Sequence, residues 1–199
     1  MTALSEDHKP DLPDERERIE GAGMLVLPDV FRDPDALPGA EGSEENLVTI
    51  WKVVKSESDR LGVSRAFGDF DYKGNESLGP ERQAVVCTPD IRVHARDRTR
   101  DMFLVLACDG VWDVMSNDQV GAFVTRAHGD ISAAGDRAPE ETLAEVGDRL
   151  LDECLRRGSR DNMSALIVSL GPSSSADGYR RAAVIRDATA TKLFTDEAP

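Results

Sequence analysis

The chain has 199 residues, 40% hydrophobic and 31% charged, with 24 Lys and Arg against 38 Asp and Glu and a formal net charge of −14. That balance belongs to a soluble globular protein and excludes disordered and fibrous classes. The apolar run Phe103–Cys108 is far too short for a membrane span, and an acidic chain repels phosphate backbones, so neither a membrane nor a nucleic acid is an expected partner.

In chain order, Met1–Pro10 turns polar at Ser5 and shows no signal-peptide pattern. Residues 13–21 read as a short helix, with Pro13 at its start, acids in its first turn and Gly21 as its stop. Met24–Leu27 reads as a strand, and residues 28–46, with three prolines, as a loop. Leu47–Val54 has the β-branched and aromatic content of a strand. Gln83–Thr88 and Ile91–Ala95 read as two further short strands split by Pro89. Phe103–Cys108 has the pattern of a strand buried on both faces.

Ser116–Gln119 forms a capping box, and Val120, Phe123, Val124 and Ala127 follow at helical spacing until Gly129. A second helix runs from Pro139 to about Arg157, with Leu143, Val146, Leu150, Leu151, Cys154 and Leu155 on one stripe and Gly158 as its stop. Ser164–Leu170 reads as a buried strand, 171–178 as a linker and 179–199 as a tail outside the core pattern. Strands in runs and helices in runs favour an α+β class with layered antiparallel sheets.

The acidity is uneven: residues 1–60 carry 7 basic and 15 acidic groups, and we read that surplus as a solvated surface. Cys87, Cys108 and Cys154 are odd in number and widely spaced, which suits reduced, packed thiols in an intracellular protein. His8, His94 and His128 show no metal-ligand spacing.

Three aspartates stand out by position. Asp109 ends the apolar run and precedes Gly110, Asp113 follows four residues later, and Asp161 precedes the last buried strand. Carboxylates gathered at strand ends repel one another unless a hard cation neutralises them, and oxygen-only donors select Mg²⁺ or Mn²⁺. Asp-Gly after an apolar run is equally a hairpin signal, and on spacing alone the turn is preferred. Leu61–Asp69 fails the Gly-x-Ser-x-Gly elbow of a serine hydrolase around Ser64 and reads as a loop with an exposed Arg65.

Taken together, Ser5–Glu20, Gly62–Lys73, Phe103–Asn117 and Gly158–Ser164 resemble, in order, blocks of the metal-dependent serine/threonine protein phosphatases (PPM-type, type 2C). The resemblance covers the later part of that catalytic domain, over residues 1–170, with 28–60 as an insert or flap-like region and 171–199 as linker and tail. It implies a layered α-β-β-α sandwich of two antiparallel sheets flanked by helices, here an incomplete version. It also implies hydrolysis of phosphoserine and phosphothreonine on protein substrates by a water activated by two Mg²⁺ or Mn²⁺ ions. By match of motif, Asp109 and Asp161 are metal ligands and Asp113 belongs to a weaker third metal. The family's phosphate-gripping arginine, bridging aspartate and histidine acid have no counterpart in this sequence, so no catalytic residue beyond the metal ligands is assigned. The alternative is an inactive pseudophosphatase or scaffold fragment. A cytoplasmic or nuclear location, and self-association through uncovered apolar faces, complete the expectations.

Overall fold

Pro13 lacks an N–H that the first helical position does not need, and Asp14 and Glu15 face the positive end of the helix dipole. Helix α1 accordingly spans Pro13–Gly21 in the computed structural model, which describes residues 1–32, 47–135, 138–170 and 180–186. The helix has the bounds expected, but Gly21 is its last residue and not the left-handed stop. Ala22 caps the helix, and Gly23, at φ +90°, makes the left-handed exit that a side chain would oppose.

The chain divides into two compact units, one formed by Ser5–Arg92 and the other by Met1–Leu4 with Val93–Pro199. In the first, β1 (Leu25–Arg32) pairs antiparallel with β2 (Leu47–Val54), which pairs with β3 (Arg60–Leu61), in the order β1-β2-β3. The strand expected to end at Leu27 therefore continues through Pro28, opposite Trp51. Proline is tolerated there because, among the described residues, β1 lies at the edge of its sheet. Much of the expected 28–60 insert is thus sheet, while 33–46 lie outside the described residues. The core gathers Ile19, Val26, Val53, Tyr72, Ala84 and Val85.

Gln83–Thr88 and Ile91–Ala95 are not strands. Gln83–Val86 is buried, but its backbone bonds run to loops: Val85 N–H to the Tyr72 carbonyl, Val86 N–H to that of Ser64, and Ala66 N–H to that of Val86. Residues 91–95 are exposed, Ile91 at 84% and Val93 at 93%. β-propensity without a pairing edge or a face to bury does not make a strand.

In the second unit, β4 (Phe103–Ala107) pairs antiparallel with β5 (Met163–Ser169), and β5 with β6 (Arg180–Arg186). β6 falls within the expected 171–199 linker and tail; a full seven-residue register on β5 makes it part of the sheet. The expectation of strands buried on both faces is corrected: β5 alternates, with Met163, Ala165 and Ile167 buried, and Leu106 of β4 is 49% exposed.

The described residues of this unit also form α2 (Asp109–Trp112), α3 (Asn117–Ala133) and α4 (Pro139–Arg156). The capping box at Ser116 forms as expected, but α3 continues through Gly129 for another turn, where Ile131 is buried. A glycine mid-helix costs about 1 kcal/mol against alanine, less than burying an isoleucine returns. The α4 stripe forms as read, with Leu143, Val146, Leu150, Leu151 and Cys154 at 0–1% exposure, and Gly158 (φ +94°) follows the Arg157 cap. The architecture is α+β with antiparallel sheets, the class expected.

Candidate functional site

The β4–β5 register sets Ala107 opposite Ala165, and Cys108 N–H then donates to the Ser164 carbonyl (3.2 Å). Beyond it the chain turns into α2 rather than the hairpin that Asp-Gly suggests. Gly110 is required at this turn: a Cβ there would lie 2.7 Å from the Asn162 carbonyl oxygen and 2.9 Å from Met163 Cγ. Three side-chain bonds tie the same two segments together. The Cys108 thiol donates to the Asn162 carbonyl (3.2 Å), Ser164 N–H donates to Cys108 Sγ (3.2 Å), and the Ser159 hydroxyl donates to the Gly110 carbonyl (2.6 Å). Ser159 is 9% exposed.

Asp109 and Asp161 thus stand on adjoining segments, each followed by a residue that touches the other segment. Both are exposed. One oxygen of each is oriented by its own backbone: Asp109 Oδ1 accepts from Gly110 N–H (3.1 Å) and Asp161 Oδ1 from Asn162 N–H (2.7 Å). The other oxygen of each meets no protein donor among the described residues. Asp113 lies one helical turn on, its N–H donating to the Asp109 carbonyl (2.8 Å). Among the described residues no three His, Cys, Asp or Glu side chains gather to hold a metal ion, so Asp113 does not join the other two in one cluster. By donor chemistry, two pre-oriented carboxylates suit a hard divalent cation as two of its oxygen ligands.

A second charged constellation was not legible as a site. Glu15, 2% exposed, receives both Nη groups of Arg18 (2.7 Å each) and Nη2 of Arg65 (2.7 Å). Burial pushes its carboxyl up, but the bonds from Arg18 and Arg65 outweigh this and hold it at about 2. Arg65, read as an exposed loop residue, is 20% exposed and also reaches Asp90 (2.9 Å), which bonds His8 (2.9 Å). The only forward signal was the Glu15–Arg18 spacing beside Ile19. Ser64 is fully buried and its hydroxyl donates to the His8 carbonyl (2.8 Å), which removes the serine-hydrolase reading.

The cysteines are free, but only Cys154 is fully packed; Cys108 is half-buried and Cys87 exposed, a correction to the expectation of three packed thiols. Sequence reasoning also missed Ser159 and the bonding of Cys108, because a serine in a short helix-to-strand turn and a cysteine ending a strand carry no distinctive pattern. Among the described residues no helix is long and apolar enough to cross a membrane.

The chain belongs to the protein phosphatase 2C family, whose model matches residues 1–163. It is 36% identical over 198 residues to Protein phosphatase ppm-1.A of Caenorhabditis elegans, covering 98% of this chain and 35% of that protein. It is 33% identical over 182 residues to Protein phosphatase 1A of Mus musculus, covering 90% and 38%. A crystal structure of a phosphatase from a pathogenic strain of Toxoplasma gondii superposes with a TM-score of 0.60 at 29% identity, over 93% of this chain and 46% of that one. The chain spans little more than a third of the length of the curated relatives it matches.

Proposed function

We propose that this chain supplies the later part of a metal-dependent protein phosphatase domain acting on phosphoserine and phosphothreonine in intracellular proteins. The observation that carries the reading is the pair of oriented carboxylates, Asp109 and Asp161, on segments locked together by Gly110, Cys108 and Ser159. Mg²⁺ or Mn²⁺, when bound, acidifies water and offsets charge developing at phosphorus. Asp109 and Asp161 are the residues that hold it, and Asp113 serves a weaker neighbouring ion.

The chain's own contribution is geometric. The Gly110 and Asn162 amides keep each carboxylate from rotating, so two hard donors are presented without further loss of side-chain freedom. Two carboxylates alone hold such an ion weakly, since Mg²⁺ dehydrates reluctantly. We place the remaining donors in the part of the family domain that the longer relatives have beyond their match to this chain.

Hydrolysis of a phosphothreonine peptide at varied Mn²⁺ tests it. The 199-residue chain should turn over little, and the same chain fused behind the preceding segment of a longer relative should be active. Asp109→Asn should cut that activity by more than about 100-fold, the upper range for losing a mere supporting residue of a metal site. Undiminished turnover in that variant removes Asp109 from the site. A fusion that folds and stays inactive favours the pseudophosphatase alternative.

A further inference from the structure

Helices α3 and α4 separate the two aspartates along the chain, yet their segments meet at one point, and Ser159 is the polar side chain buried there. Its hydroxyl donates to the Gly110 carbonyl at 2.6 Å. Gly110 is also the residue whose N–H orients Asp109, while Ser159 stands two residues before Asp161. The geometry points to Ser159 as a positioning residue for the metal site: through the backbone on either side of the Gly110 Cα it sets the separation and orientation of Asp109 relative to Asp161.

Three features carry this assignment. A 9% exposed hydroxyl must be satisfied, and at Ser159 its acceptor is the Gly110 carbonyl on the opposite segment. Helix α2 is only four residues long, so the Gly110 carbonyl has little else to fix its direction. The close approach of Gly110 to Asn162, where even a methyl group would collide, means that a shift at this contact moves both carboxylate segments. The Cys108 thiol braces the other side of the junction, but through 3.2 Å sulfur bonds that are weak and tolerant of displacement.

This inference rests on the metal reading proposed above, and one titration separates the two. Mn²⁺ is added to the isotopically labelled 199-residue chain up to millimolar concentration. Paramagnetic broadening is followed at the Gly110 and Asn162 amides, with a thermal melt recorded for every variant. In the unaltered chain both amides should broaden together, and Asp109→Asn should abolish the effect. Ser159→Ala should need about 10-fold more Mn²⁺, in line with other residues that orient a ligand, and Ser159→Thr, which keeps the hydroxyl, should restore the original affinity. If the alanine variant loses its cooperative melt, the comparison is read on Ser159→Cys, which keeps the volume and leaves only a weak donor. Unchanged broadening in the alanine (or cysteine) variant, with loss in Asp109→Asn, overturns the positioning role and leaves the metal reading standing. No selective broadening in the unaltered chain, or none removed by Asp109→Asn, overturns the metal reading and the positioning role with it.

Discussion

In the Ser5–Arg92 unit the interior includes an ionised carboxylate, whereas the interior of the Val93–Pro199 unit, among the described residues, includes no charged side chain. Its buried polar groups are Thr142 and Ser159. The difference follows from how much regular structure each unit has. Segments 62–68 and 83–88 of the first unit have no sheet ladder to fix them. Arginine forks replace it: beyond Glu15, Arg18 donates to the carbonyls of Gln83 (3.2 Å) and Ser64 (3.0 Å), and Arg65 to that of Thr88 (3.0 Å). In the second unit α3, α4 and β5 interlock through apolar stripes, so charge stays at the rim, where Asp109 and Asp161 are available to a ligand. One region uses carboxylate to hold loops together; the other keeps it accessible.

The largest effect that would break this contrast is Glu15→Gln. It removes the buried counter-charge shared by two guanidinium groups, leaving Arg65 only the exposed Asp90, and removing one partner of a buried pair typically destabilises by about 3–5 kcal/mol. Hydrogen exchange should then show loss of protection across α1 and the β1–β2 sheet. A change below about 1 kcal/mol would mean that the network is solvated enough to be dispensable.

Acid sharpens the comparison. Glu15 is held at about 2 against an ordinary 4.5, so the folded form binds its proton more weakly than the unfolded form. Its stabilising contribution is complete above about pH 4.5 and fades as the pH falls toward 2. Over that window the shift corresponds to roughly 3 kcal/mol. In the other unit Asp97, Asp101, Asp118 and Glu153 are also held low, by side-chain bonds from Thr99, His94, the N-terminal amine and Arg157 respectively, but all are at least partly open to solvent, which screens them. Exchange measured at about pH 6 and about pH 3, on either side of the unfolded-state value, should therefore show α1 and its surroundings losing protection before α4 does. Equal loss in both units would assign the acid sensitivity to overall charge.

The contrast also explains what could be read from the chain. Helix α4 was legible because its burial stripe has the period of the helix and its ends carry Pro139 and Gly158. β2 was legible through its β-branched run. The extension of β1 past Pro28 was not, since whether a proline ends a strand depends on whether the strand lies at a sheet edge, a property of the partner and not of the segment. Gln83–Val86 was misread for a related reason: its apolar content reported burial correctly, but burial here is against α1 and loops. Of the candidate site, Asp109 and Asp161 were visible as acids at strand ends. The contacts of Gly110, Cys108 and Ser159 that bring their segments together depend on register across 54 residues and left no local trace.

The smallest expected effect concerns a part of the second unit where sequence and structure agree in detail. Ser116 Oγ accepts from Gln119 N–H (3.4 Å) while the Gln119 side chain accepts from Ser116 N–H (2.9 Å), a reciprocal cap on α3. The box satisfies two backbone donors that the helix cannot, and nothing else in it is buried. Ser116→Ala removes one acceptor at an exposed helix end, where water partly replaces it, so the cost should be about 1 kcal/mol. Because Val120 and Val124, both almost fully buried, hold the following turns against the core, that loss should appear as fraying of residues 117–119 and not as unfolding of the unit. Amide exchange resolved by residue would show faster exchange confined to the first turn of α3. Faster exchange that reaches α4 would mean that the cap supports the apolar stripes, and that the second unit depends on polar contacts as much as the first.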